Sequence, residues 1–181
     1  LFSEEIIQVV AEFFKTGQRP PLVVDPVMIS TSGAQLLKPS AVLRLTGQLL
    51  PLATLVTPNL DEAKVLVNRD LKSVEDLRSA AKDIFEQFGC AVLVKGGHLR
   101  GSSDAADIFF DGETELLLTA PFVKGVNTHG TGCTYSAAIT GYLALGKPLE
   151  KAVKLAKTYI TEAIAGSFNA GNHSVLNSFW R

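Results

Sequence analysis

The stretch ATLVTPNLDEAKVLV, residues 53–67, sets a short apolar run directly against a helical pattern, with Thr57-Pro58-Asn59 at the junction. The run before the proline reads as a buried strand and residues 61–67 as a short helix. A strand that hands over to a helix within a few residues is the repeating unit of an α/β layer fold. Short apolar runs alternate with helical patterns along the rest of the chain. LVVDPVM (22–28) is a strand that delivers Asp25 at its C-terminal end, CAVLVKGGH (90–98) is another that ends on Lys95, and VNTHGTGCT (126–134) leads into the helix-forming YSAAITGYLAL. These readings predict a single α/β domain over residues 1–181, with a mostly parallel sheet between helices.

The remaining elements follow from local signals. Residues 4–14 read as a helix with Ser3 as N-cap, Ile6, Ile7, Val10, Phe13 and Phe14 on one face, and Gly17 and Pro20 beyond its end. Pro39 opens a helix carrying Val42, Leu45 and Leu49, which Pro51 closes. Ser73 with Asp76 forms a capping-box start for a helix through Phe88, stopped by Gly89. DIFFDGETELLLT reads as a hairpin turning at Asp111-Gly112, and a last helix spans 148–166 with Ala152, Ala156, Tyr159, Ile160 and Ala163 inward. Because the chain opens on a helix and offers only three strong parallel-strand candidates, the sheet is expected to be incomplete on its N-terminal side.

Composition narrows the function class. The 181 residues are 46% hydrophobic and 19% charged, with a formal net charge of -1 and no basic block, which argues against nucleic-acid binding. No apolar run reaches the length of a membrane span, and the first residues lack a basic leader and cleavage site, so an intracellular, cytoplasmic protein is the expectation. The two cysteines cannot build a disulfide framework. Cys90, at a strand start, reads as a small buried hydrophobe.

Cys133 differs, because it follows Gly130-Thr131-Gly132 at a helix N-terminus. Unpaired N–H groups and the positive helix end favour anions there and are expected to lower a thiol's pKa. Asp25, Asn59 with Glu62, and Lys95 all fall at strand C-termini, the edge where open α/β sheets bind ligands. Asn59-x-x-Glu62 suits a hydrated Mg²⁺ ion, and equally suits a helix cap with its reciprocal Glu. Together the pieces point to phosphoryl transfer. The glycine turn would stabilise the transferring phosphoryl oxygens, Mg²⁺ and Lys95 the donor phosphates, and Cys133 would take the acceptor hydroxyl's proton.

Competing readings are weaker. His129 near Cys133 suggests a thiolate–imidazole hydrolase, but nothing in the sequence orients the imidazole. His98 and His173 read as surface or loop residues, and the histidines show no metal-ligand spacing. GYLALGKP, residues 141–148, nearly matches a phosphate-binding loop. It fails because Pro148 stands where a hydroxyl is required and because the stretch does not follow a strand, which leaves Lys147 solvent-facing.

The motifs VVDPVM, SG, LLPLATLVTPNLDEA, VLVKGGH and NTHGTGCT, in that order, resemble the hydroxymethylpyrimidine/phosphomethylpyrimidine kinases of the ribokinase-like superfamily, over residues 22–177. Cys133 is the most specific point, since most relatives in the superfamily carry Asp there. The resemblance implies a ribokinase-like layered fold and ATP- and Mg²⁺-dependent phosphorylation of 4-amino-5-hydroxymethyl-2-methylpyrimidine and then of its monophosphate, for thiamine diphosphate synthesis. It implies that Gly130, Thr131 and Gly132 form the anion hole with Cys133 as base. Asp25, Asn59 and Glu62 would organise Mg²⁺ and phosphates, Lys95 and Lys157 would lie at the nucleotide, and Val27 and Asp25 would be on the substrate side. Family members begin with further strands that supply most pyrimidine contacts, so this chain is expected to correspond to the C-terminal portion of such a kinase. Its expected partners are the pyrimidine and ATP, with no nucleic acid or membrane, and a homodimer when complete. A pyridoxal kinase of the same superfamily and a non-catalytic nucleotide-binding remnant are the alternatives.

Overall fold

The computed structural model describes residues 3–17, 19–29, 34–97, 99, 104–123, 126, 130–171 and 173–179. His98, His129 and the Ser32-Gly33 motif lie outside the described residues, as does the side chain of His173. The sheet has five strands in the order β1-β2-β3-β4-β5: β1 (Val23–Val24), β2 (Leu55–Val56), β3 (Ala91–Lys95), β4 (Asp104–Phe110) and β5 (Glu115–Pro121). The first three pair in parallel and the last two add as an antiparallel hairpin, so the sheet is mixed. At the hairpin turn Asp111 accepts the N–H groups of Glu113 and Thr114, and Gly112 takes the left-handed φ of 98° that the turn requires.

Helices cover both faces. On one side lie α1 (Glu4–Lys15), α2 (Pro39–Arg44), α3 (Leu60–Val67) and α4 (Val74–Phe88); their core takes Val56, Val92 and Val94 from the strands. On the other side lie α5 (Thr131–Ala144) and α6 (Leu149–Ala165), packed on Leu55, Ala91, Leu93 and Phe109. Alternate residues of β2 and β3 thus feed opposite cores, and a strand buried on both faces loses the polar alternation of an exposed one. A short two-stranded ribbon, β6 (Phe168–Ala170) with β7 (His173–Val175), follows α6.

Two helical expectations change. In α1 the buried residues are Ile7 and Ala11, whereas Ile6, Val9 and Phe13 are exposed. The helix carries two apolar stripes, at 7/11 and at 6/9/13, and only the first meets the core formed with residues 39–52. The segment opened by Pro39 is not one helix: α2 passes into a π-type turn at Leu45–Leu49 and a tight 3₁₀ turn at Leu50–Leu52. Pro51 has no N–H to continue an α-helical ladder, so the chain rewinds around it while Leu45, Leu49 and Leu50 stay buried. By contrast, α4 begins with the Ser73/Asp76 capping box and ends on Gly89 at φ 70°, as its sequence predicts. Along α6, Ala152, Ala156, Ile160 and Ala163 are buried, while Tyr159 is half-buried and donates its hydroxyl to the Ser178 carbonyl.

Candidate active site

The parallel strands end on one edge, and each end carries chemistry. Asp25 follows β1, Asn59 caps α3 after β2, Lys95 closes β3, and the N-terminus of α5 approaches the same edge. Every residue expected of the phosphoryl-transfer site lines a single cavity of about 540 Å³: Asp25, Val27, Asn59, Glu62, Lys95, Gly130, Thr131, Gly132, Cys133 and Lys157. Apolar groups from Ile29, Leu36, Phe122, Val123 and Ile164 complete its walls.

At its centre the Lys95 ammonium donates to Asp25 Oδ1 at 2.8 Å, and both side chains are largely buried. Gly132 sits against this pair. A Cβ built on Gly132 would lie 3.0 Å from Lys95 Nζ, so a side chain here would push the ammonium away. Gly130 is the α5 N-cap at φ 84°, a conformation that glycine adopts without strain and that turns the chain into the helix.

The Asn59-x-x-Glu62 pair forms the cap. Asn59 Oδ1 accepts the Glu62 N–H at 2.9 Å, and Glu62 Oε2 accepts the Asn59 N–H at 2.8 Å. Glu62 Oε1 reaches across to the Met28 N–H at 3.0 Å. Glu62 is 1% exposed, and burial pushes its carboxyl above the usual range against the pull of those amides and of Lys95. Both oxygens therefore hold the backbone, including the loop whose Val27 stands at φ 47°. Left-handed geometry is costly for a β-branched residue, so this loop depends on its anchor.

Among the described residues no three His, Cys, Asp or Glu side chains are grouped to hold a metal ion. Asp25, with Asn59 and Glu62 nearby, fits a hydrated Mg²⁺ brought in on phosphate oxygens, since that ion binds through one or two carboxylates and keeps several waters. It does not fit an ion caged by protein alone.

Cys133 corrects an expectation. Its thiol lies above the ordinary range, not below it. Partial burial raises it first, then the Asp25 carboxylate, to which the thiol hydrogen-bonds; Lys95 opposes and Glu62 adds a further rise. Burial and a carboxylate in contact both favour the neutral thiol, which donates to Asp25 in the free protein. Cys90 is buried and pushed up to about 11, as befits a structural thiol.

Four side chains at this site escaped the sequence reading. Asp107, in β4, is 5% exposed; it accepts the Lys157 ammonium at 2.7 Å and the Gly96 N–H at 3.1 Å. Its signal was an acid set between the apolar pairs Ala105-Ala106 and Ile108-Phe109. Thr57 and Ser136 are buried with their hydroxyl oxygens 2.8 Å apart. The Tyr135 hydroxyl is buried without a partner among the described residues, and burial, with Asp107 nearby, raises its pKa.

Among the described residues, no helix is long and apolar enough to cross a membrane. The family model for phosphomethylpyrimidine kinase matches residues 1–177. The chain is 50% identical over 146 residues to the hydroxymethylpyrimidine/phosphomethylpyrimidine kinase of Rhizobium meliloti, covering 80% of this chain and 54% of that protein. It is 40% identical over 179 residues to the protein of the same name from Aquifex aeolicus, covering 99% and 70%. Its fold superposes with a TM-score of 0.88 on the pyridoxal kinase of Staphylococcus aureus in complex with AMP-PCP, at 35% identity, covering 98% of this chain and 65% of that one. The chain thus spans between about half and 70% of the length of these proteins. With the strand-end residues gathered beside the Gly-Thr-Gly-Cys turn and a family match running through residue 177, the chain belongs to the phosphomethylpyrimidine kinase family.

Proposed function

We propose that this chain carries the phosphate-handling edge of an ATP- and Mg²⁺-dependent kinase that phosphorylates 4-amino-5-hydroxymethyl-2-methylpyrimidine and its monophosphate, toward thiamine diphosphate. The observation that carries the reading is the convergence of Lys95, Asp25 and the α5 N-terminus in one cavity, with Gly132 in contact range of the lysine. In the reaction, the acceptor hydroxyl oxygen forms a bond to the γ-phosphorus of ATP as the bond to the ADP oxygen breaks. The Cys133 thiol first gives its own proton to water, and the resulting thiolate then takes the acceptor hydroxyl's proton. Charge on the transferring group is met by the N–H groups of the turn at 130–133 and by Lys95, in a partly water-excluded site where such contacts are strong. Mg²⁺, when bound, neutralises phosphate charge; Asp25 is the carboxylate that would face it, and Asn59 and Glu62 would act through water. Val27 and the apolar wall would hold the pyrimidine, and Lys157 the nucleotide side.

A second reading, pyridoxal kinase, is favoured by the 0.88 TM-score to the Staphylococcus aureus enzyme. Incubating the chain with ATP and Mg²⁺ and either the hydroxymethylpyrimidine or pyridoxal, and following ADP release and product mass, separates the two. Preferential phosphorylation of the pyrimidine is expected. Turnover of pyridoxal alone would replace the first reading with the second, and turnover of neither would refute catalysis by this chain.

A further inference from the structure

Two hydroxyls stand between the strand edge and the anion-binding turn: Thr57, just after β2, and Ser136, in the second turn of α5. Both are buried, at 0% and 7% exposure, with their oxygens 2.8 Å apart. Ser136 Oγ is also 3.0 Å from the Gly132 carbonyl oxygen. Thr57 Oγ1 lies 3.3 Å from Asp25 Oδ1 and 3.5 Å from the Val24 carbonyl. A serine bonding back one turn along its own helix is a common local arrangement. A threonine from another layer meeting that serine is not local, and it joins the helix to the strand edge.

Each hydroxyl has one proton to give, so the pair has two polarities. In one, Thr57 donates to Ser136 and Ser136 donates to the Gly132 carbonyl. In the other, Ser136 donates to Thr57 and Thr57 donates to Asp25. Asp25 Oδ1 is the same oxygen that Lys95 holds, and Lys95 is the ammonium that Gly132 leaves room for. Gly132 is therefore held from two directions, by the hydroxyl chain at its carbonyl and by the ammonium over its Cα.

We propose that the buried Thr57–Ser136 hydroxyl pair is a positioning element that fixes the anion-binding turn on the strand edge and couples the partner held by Asp25 to the Gly132 peptide. The proposal rests on the kinase reading only for the identity of the anion. While Lys95 occupies Asp25, the chain points toward Gly132 and holds the first turn of α5 rigid. When Lys95 turns to a phosphate, Asp25 Oδ1 loses its ammonium and becomes the better acceptor for Thr57, which leaves Oδ2 to face the metal. The polarity then reverses, and the Gly132 peptide adjusts to the anion.

The test compares Thr57→Val, Ser136→Ala, the double variant and Thr57→Ser in the unliganded chain, by amide hydrogen exchange along α5 and α6. Each single removal is expected to speed exchange in the first two turns of α5 about fivefold, the worth of one net hydrogen bond. Exchange in α6 is expected to stay unchanged, the double variant to be no faster than the worse single, and Thr57→Ser to recover most of the protection. Affinity for AMP-PCP with Mg²⁺ is expected to fall in parallel. Losses that multiply in the double variant, acceleration spread equally over α5 and α6, or a Thr57→Ser variant as poor as Thr57→Val would overturn the proposal. Turnover of the pyrimidine by the unsubstituted chain is scored separately, so a chain that protects its α5 turn as described yet phosphorylates nothing refutes the kinase reading alone.

Discussion

Replacing Glu62 with alanine isolates what one buried carboxylate does for the site. Its two oxygens accept the Asn59 and Met28 N–H groups, one capping α3 and the other pinning the loop that holds Val27. Hydrogen bonds to a charged group are worth about 1.5–3 kcal/mol each, so losing both costs roughly 4 kcal/mol. Part is returned, because burial already raises the carboxyl above its usual range and that desolvation disappears with the side chain. A net loss of about 3 kcal/mol follows, which in a domain of this size lowers Tm by roughly 6–12 °C. Glu62→Gln keeps one acceptor and should lose about half as much. The raised pKa also sets a sign. The folded state binds the proton more tightly than the unfolded chain, so the proton-linked part of Glu62's contribution is fully present below its ordinary value of 4.5 and is lost as pH rises through the folded value, while the bonds from Asn59 and Met28 remain. The Gln variant should lack that dependence. Urea and thermal unfolding followed by circular dichroism between pH 4 and 8 measure both effects. A loss under about 1 kcal/mol in Glu62→Ala would refute the anchoring role, since it would fall below the worth of even one such bond.

Further substitutions test other parts of the site. Cys133→Ala should lower kcat by about 10²–10⁴-fold, the usual worth of a general base, while Cys133→Asp retains more; an unchanged kcat in the alanine variant removes the proton-acceptor role. Gly96→Ala should destabilise by about 2 kcal/mol or more, since its Cβ would meet the Ala106 carbonyl at 2.2 Å and Leu77 at 2.5 Å, and denaturant unfolding reads this directly.

Local chemistry was legible in the sequence where a few neighbouring residues decide the outcome. The Ser73/Asp76 cap, the Asp111-Gly112 turn, the strand-to-helix handover at Asn59 and the strand ends at Asp25 and Lys95 are of this kind. Asn59-x-x-Glu62 was legible as a cap, but the bond from Glu62 to Met28, 34 residues away, was not. The Cys133 thiol failed for the same reason: its helix position is local, whereas the burial and the Asp25 carboxylate that raise its pKa arrive through the fold. Apolar periodicity in α1 offered two stripes, and only packing against residues 39–52 chose between them. Asp107, Thr57 and Ser136 become site residues only when β4, β2 and α5 meet.

Lys157 enters the cavity already clamped, its ammonium held between Asp107 and the Ala105 carbonyl while Asp107 also grips the Gly96 N–H. A free lysine carries about 2 kcal/mol of rotamer entropy, and here that freedom is surrendered during folding rather than at the moment of ligand capture. An anion bound at this end, as the kinase reading proposes, would meet a cation that is pre-aimed but already paired, so it would gain directional selectivity more than raw attraction. Because the pair is nearly sheltered from solvent, at 12% and 7% side-chain exposure, dissolved salt screens it weakly, and this end of the cavity keeps its shape across ionic strengths that dissolve the surface ion pairs.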